Sequence, residues 1–357
     1  MTITPDLTPV SGGHHRSRVT VLIPVFNGAN FIADTLVSLR EQTFGDYEVW
    51  CLDDCSTDTS RDIVASFVAA DPRVKMFVSE TNQGSVPPVI NAVLDRIESE
   101  FLAYSSQDDQ FSPDWLQRMV ERADATGADA VLPDVTFVDS TISNVNTMVG
   151  LNGDRSVTMT NKDAVIASLD WTIHGWALWR SNIVKQHRYA DFSTSADEFS
   201  TRRFFLSCNK IVFAETTFFS RQDNPEAITK KPTFRLFELP RTSLAVYDLL
   251  ADNDFPQDVC ATQLLRSINS LIGMCRFAIG NADRFPPLER QRSQVSIRKS
   301  FASLPFTRLA PLILRYRSSY KPRTWVKLWL FAISARPLRA LTIFQLGRGV
   351  RPTDLSM

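Results

Sequence analysis

Along residues 18–104, apolar runs alternate with amphipathic stretches at a regular interval. Val19-Thr20-Val21-Leu22-Ile23-Pro24-Val25-Phe26-Asn27 is almost continuously apolar and rich in β-branched residues. That is the pattern of a strand covered on both faces of a parallel sheet, not of an alternating surface strand. Asn30 is a helix-capping residue type, and after it Phe31, Ile32, Leu36, Leu39 and Gln42 recur at helical spacing. Residues 47–52 predict a second strand, 59–70 a helix, 74–78 a third strand, 86–98 a further helix and 101–104 a fourth strand. Strand and helix repeat roughly every 25 to 30 residues, which predicts an α/β fold with right-handed βαβ crossovers and a mostly parallel sheet flanked by helices.

In such sheets ligands bind beyond the carboxyl ends of the strands. Two acid pairs fall there: Asp53-Asp54 after the second strand, and Asp108-Asp109 after the fourth, within Ser105-Ser106-Gln107-Asp108-Asp109-Gln110. Adjacent carboxylates facing open solvent suit a hard divalent cation, Mg2+ or Mn2+, which takes one or two carboxylates plus phosphate oxygens and water. A turn built on Asp-Asp is the competing reading. No Gly-x-Gly-x-x-Gly follows the first strand and no Gly-Lys-Ser/Thr loop is present. A phosphate ligand would therefore be neutralised by a metal held on acids, which points to a nucleotide diphosphate.

The segments Val21-Leu22-Ile23-Pro24-Val25-Phe26-Asn27, Ser38-Leu39-Arg40-Glu41-Gln42-Thr43-Phe44, Leu52-Asp53-Asp54-Cys55-Ser56-Thr57-Asp58 and Gln107-Asp108-Asp109 resemble the family 2 glycosyltransferases, over about residues 18–232. The resemblance implies a GT-A fold and an inverting transfer from a nucleotide-activated sugar, a UDP-sugar first among them, with a divalent cation. It places the base pocket at Pro24, Val25 and Asn27, the nucleoside on Asp54, the metal on Asp109, and Asp108 near ribose and sugar. Asn82 and Gly84, in the loop after the third strand, join the donor side. The chain departs from the family in three places. Cys55 stands where a Gly is usual, Ile90 precedes Asn91 where many relatives carry Arg, and Gln107 opens the metal motif in place of an acid.

An inverting transfer needs a base within hydrogen-bond reach of the acceptor hydroxyl. Asp197 and Glu198 resemble the family's acidic pair, in reversed order, and are weighted equally; helix N-terminal acids facing the macrodipole are the alternative. His174, Gly175 and Trp176 match the acceptor segment, where an aromatic ring can carry a sugar face, whereas Trp179 reads as core. Beyond a strand at 210–213, Arg221, Thr229 and Lys230 match a loop that folds over the diphosphate. Two other classes compete: a catalytically silent nucleotide- or sugar-binding protein on the same fold, and a sugar-1-phosphate nucleotidyltransferase. The latter is disfavoured because its Gly-rich loop is absent.

Composition adds a division of labour. Net charge is zero, yet residues 290–351 hold 14 of the 39 Lys and Arg and no Asp or Glu, which leaves 25 basic and 38 acidic side chains in residues 1–289. Trp325-Val326-Lys327-Leu328-Trp329-Leu330-Phe331-Ala332-Ile333 is apolar but too short to span a bilayer. Three partners suit this basic tail: an anionic membrane surface, the acidic catalytic domain, or a second copy in a homo-oligomer. No nucleic-acid module is recognisable. The five cysteines show no paired spacing, as expected of free thiols in a reducing cytoplasm. The expected organisation is a disordered tail at 1–17, a nucleotide-sugar half at 18–115, an acceptor half at 116–232 and a helical region at 233–357. The implied acceptor is a glycan or lipid-linked glycan in surface polysaccharide synthesis. The expected location is the cytoplasm, peripherally on the inner face of the membrane.

Overall fold

The computed structural model describes residues 7–9, 17–139, 146–193, 195–225 and 233–348. The chain divides into two compact units, Met1–Asp191 with Ser200–Pro225, and Phe192–Phe199 with Glu226–Met357.

The first unit is built on one ten-stranded sheet. Its strands are β1 (Leu7–Pro9), β2 (Val19–Val25), β3 (Tyr47–Asp53), β4 (Val74–Ser79), β5 (Phe101–Tyr104), β6 (Gln110–Phe111), β7 (Ala130–Val138), β8 (Asn146–Met148), β9 (Leu178–Arg180) and β10 (Ile211–Arg221). Their order is β1-β4-β3-β2-β5-β9-β7-β10-β6, with β8 on β7. The run β4-β3-β2-β5 is parallel, as is β7-β10, while β9 lies antiparallel between the two groups. The two expected halves of the catalytic region thus share a single sheet. Every residue of β2 and β3 is buried, which is why their sequences read as unbroken apolar runs.

Helices α1 (Ile32–Arg40), α2 (Ser60–Ala70), α3 (Val86–Val93), α4 (Trp115–Thr126), α5 (Asn161–Ser168) and α6 (Ser181–His187) belong to this unit, and α7 (Ala196–Ser207) joins it from Ser200 onward. α1 buries Ile32, Thr35, Leu36 and Leu39, but its cap residue is Phe31, not Asn30. The carbonyl of Gly28 receives the first backbone N–H groups instead, from Phe31 and Ile32. α3 opens on Pro87 and Pro88, tolerated because first-turn N–H groups have no helical partner. Within the stretch expected to be a disordered tail, β1 pairs antiparallel with β4; backbone pairing on an open sheet edge overrides the polar composition around it.

The second unit is helical: α8 (Leu239–Asp252), α9 (Gln257–Asn281), α10 (Pro287–Ser303), α11 (Phe306–Arg315) and α12 (Pro322–Gly347). Its core gathers Phe237, Tyr247, Leu264, Leu271, Phe285, Ile297, Ile313, Tyr316 and Leu328. Phe331 is also buried there, so it is part of the core and not of an exposed apolar face. No helix among the described residues is long and apolar enough to cross a membrane. All five cysteines are free thiols.

Candidate active site

Three parallel strands, β3, β2 and β5, lie side by side and end on the same edge of the sheet. The loops that leave them are tied together by side chains. Asn27, held at φ +49, turns its Oδ1 toward the loop after β3, where it accepts from the Thr57 and Asp58 backbone N–H groups at 2.8 and 3.3 Å. The backbone N–H groups of Asn27, Gly28 and Ala29 donate to Ser56 Oγ, Ser60 Oγ and Asp58 Oδ2. On the other side, the Gln107 amide pairs with both backbone groups of Phe26, accepting from its N–H at 2.9 Å and donating to its carbonyl at 3.1 Å. Gly28 makes room for this: a Cβ there would sit 2.2 Å from Gln107 Oε1. The glutamine in place of the family's usual acid is therefore a clamp between loops, since an acid could not donate to Phe26.

Asp53 is buried, bonded by Arg61 Nε at 2.6 Å and by the Ser56 N–H. Asp54 accepts from the Gln83 N–H at 2.8 Å, while Asn82 Nδ2 donates to the Asp54 carbonyl and Gly84 N–H to Asn82 Oδ1. Gly84 occupies φ +74, a conformation open to glycine at little cost. Asp54, Asn82 and Gly84, expected on the donor side, thus form one constellation. Cys55, in the place of the usual Gly, also adopts a left-handed conformation at φ +62. Pro24 and Val25 are buried within β2. The apolar side chain that the strand end presents to solvent is Phe26, 45% exposed, which pattern reading placed inside the strand.

The second acid pair differs from expectation in its exposure. Asp109 is only 4% exposed. Its carboxylate accepts from Ser105 Oγ and the Ser106 N–H at 3.2 Å, and from the Arg221 N–H at 3.3 Å. Burial, with the charge of Asp108 added, pushes its pKa up to about 7. Asp108 accepts from Asn224 Nδ2 at 2.6 Å. Arg221 ends β10, a strand that runs well past residue 213 after an irregularity in its pairing with β7 between Phe213 and Thr217. Its Nε donates to the Asp108 carbonyl at 3.3 Å, and its guanidinium lies 5.2 Å from the Phe31 ring. Asp108, Asp109 and Arg221 are therefore brought together, with Asn224 and Ser105 as partners that no motif announced. Thr229 and Lys230 lie outside the described residues.

The donor set fits a hard cation. Its oxygens are carboxylates, one of them carrying a charge that burial makes costly and that a divalent ion would compensate. No group of three or more His, Cys, Asp or Glu that could hold a metal occurs among the described residues.

In the acceptor segment, Trp176 stacks on Phe218 with 5.2 Å between centroids, and Phe218 meets Phe111 of β6 edge-on. Trp171 lies 6.1 Å from Trp176, 48% exposed and at φ +63. It borders a cleft of about 350 Å³ lined also by Thr147, Gly150, Asn152 and Thr172. Gly175 is required by Thr201, whose Cγ2 would lie 2.6 Å from a Cβ. His174 is buried, its Nε2 bonded to the Pro133 carbonyl at 2.8 Å, and burial lowers its pKa to about 4. It underlies Trp176 at 5.6 Å between rings, so the open aromatic face belongs to Trp171. Trp179 is core, as its pattern predicts. Asp197 and Glu198 stand in the first turn of α7, Asp197 exposed and Glu198 half-buried, within the part of α7 that belongs to the second unit.

Known proteins bear on this arrangement. The family described as glycosyl transferase family 2 matches residues 20–148. The succinoglycan biosynthesis protein ExoO of Rhizobium meliloti is 33% identical over 34% of this chain and 34% of its own length. The glycosyltransferase GlyG of Streptococcus pneumoniae is 21% identical over 55% of this chain and 67% of its own. The chain thus spans only about a third of ExoO. The crystal structure of S. aureus TarS 1–349 in complex with UDP-GlcNAc superposes with a TM-score of 0.62 at 18% identity, over 92% of this chain and 89% of that one. The likeness establishes a GT-A fold.

Proposed function

We propose that the chain, whose residues 20–148 match glycosyl transferase family 2, transfers a sugar from a nucleotide diphosphate, a UDP-sugar first among them, to an acceptor hydroxyl with inversion at the anomeric carbon. The observation that carries this reading is Asp109. Its carboxylate is buried beside a second acid at the shared end of β3, β2 and β5, an arrangement whose charge cost its three hydrogen bonds offset only in part. Asp54, with Asn82 and Gly84 behind it, holds the nucleoside, and Phe26 offers the base an apolar face. Asp109 would hold Mg2+ or Mn2+, with Asp108 near the ribose and sugar, and the ion would neutralise the diphosphate. Arg221 adds a fixed positive charge as the leaving group develops its own.

In the chemical step an acceptor oxygen forms its bond to the anomeric carbon as the bond from that carbon to the diphosphate breaks. The acceptor proton passes to a carboxylate, Asp197 or Glu198. Trp171, backed by Trp176, gives the acceptor's sugar ring a face to stack on. Similarity to ExoO, a succinoglycan biosynthesis protein, and to TarS, a poly(ribitol-phosphate) beta-N-acetylglucosaminyltransferase, supports a glycan acceptor in surface polysaccharide synthesis. The enzyme works in the cytoplasm, peripheral to the inner face of the membrane. Asp197→Asn and Glu198→Gln test the chemistry. One of them lowers kcat by about 100- to 10,000-fold with donor affinity retained; full activity in both single variants and in the double variant removes the pair from the mechanism.

A further inference from the structure

The second unit carries a helix with two apolar faces. One face of α12 buries Leu328, Phe331, Ala332, Thr342 and Leu346. The opposite face exposes Val326, Leu330, Ile333, Leu341 and Phe344, each between 47% and 69% accessible. At 3.6 residues per turn these five, with exposed Pro337 between them, fall within an arc of about 80° and run for about 27 Å along the helix. A surface helix ordinarily turns a polar face to water, and a contiguous exposed apolar strip marks an interaction site. Phe306 of α11, 50% exposed, extends the strip, its ring 6.3 Å from Trp329.

Charge identifies the partner. Lys327 and Arg336 project on either side of the strip by helical geometry, and Arg323 and Arg348 lie near its ends. Beside it Arg298, Arg339, Ile343 and Phe344 line a cleft of about 630 Å³ between α10 and α12. Residues 290–351 contain no carboxylate, so this face laid against the same face of a second copy would set cation against cation. We infer that the exposed face of α12, with Phe306, docks on an anionic phospholipid surface, its apolar side chains in the interface and its cations on the phosphate headgroups. This deepens the membrane part of the reading above and is independent of the sugar chemistry, because binding needs neither donor nor acceptor.

The experiment is co-sedimentation of the full chain with vesicles of phosphatidylglycerol mixed with phosphatidylcholine, and of phosphatidylcholine alone. The wild type binds the anionic vesicles and dissociates as salt rises. Leu330→Ser/Ile333→Ser/Phe344→Ser, at positions too exposed to matter for the core, binds at least about tenfold more weakly, with unchanged melting temperature and nucleotide affinity. Lys327→Ala and Arg336→Ala each weaken binding about fivefold at low salt. No binding of the wild type to anionic vesicles overturns the inference, as does equal binding by the triple variant. A wild type that self-associates, becomes monomeric in the triple variant and ignores vesicles also overturns it, in favour of a homo-oligomer.

Discussion

Asp109→Asn separates what this side chain does for the fold from what it does for a ligand. The carboxyl is almost wholly enclosed, and its pKa stands at about 7 against an ordinary 3.8. A carboxyl whose pKa rises on folding favours the native state fully below its ordinary pKa and loses that advantage as pH climbs through the folded value. Three pKa units correspond to about 4 kcal/mol lost by pH 8 in the absence of metal. Asparagine escapes that loss but gives up one acceptor. Its amide can keep the bonds from Ser105 and Ser106, whereas its NH2 would then face the Arg221 N–H, at a cost of about 1–2 kcal/mol. The metal-free variant should therefore exceed the wild type by about 2–3 kcal/mol at pH 8, with the advantage vanishing near pH 5. Denaturant unfolding in chelator from pH 5 to 8 measures the difference, which also cancels contributions common to both proteins, including buried His174. The variant should show no stabilisation by Mn2+ with a UDP-sugar. A stability difference that stays flat across that range refutes the argument from buried charge.

Two further changes probe the loops that hold the site. Cys55→Gly relieves a left-handed residue worth about 1–2 kcal/mol, partly offset by the entropy of glycine; it should raise the unfolding midpoint, and a clear loss of stability would show that Cys55 Sγ contributes more than its long contact to the Glu80 carbonyl at 3.5 Å. Gly28→Ala drives the Gln107 amide off Phe26 and should weaken UDP-sugar binding by calorimetry about tenfold, two hydrogen bonds of about 1 kcal/mol each being at stake. In the background of Gln107→Ala the same substitution should have little further effect, and strict additivity would break the proposed link.

Much of the sheet was legible because β2, β3 and β5 are covered on both faces, and burial of that kind leaves continuous apolar runs. The acid pairs were legible for the same reason: charge at the end of such a run is conspicuous. What sequence hid was long-range. Residues Glu215, Thr216 and Thr217 interrupt the apolar run of β10, so nothing local signals that the strand continues to Arg221 and delivers it to Asp108. Asn224, Ser105 and Gln107 are ordinary polar residues whose meaning lies in partners up to 116 positions away. The acid motif likewise suggested solvent-facing carboxylates, while packing between β5, β6 and the end of β10 encloses Asp109. In α12 the periodicity was masked because both faces are apolar, and only burial distinguishes Phe331, inside, from Leu330 and Ile333, outside.

The most direct test of the central claim is acceptor-dependent release of nucleoside diphosphate across a panel of nucleotide-sugars with Mn2+. The account predicts release from one donor, dependent on a glycan acceptor, abolished by chelator and absent in Asp109→Asn. Equal turnover of that donor by wild type in chelator, or by Asp109→Asn with Mn2+, would contradict it.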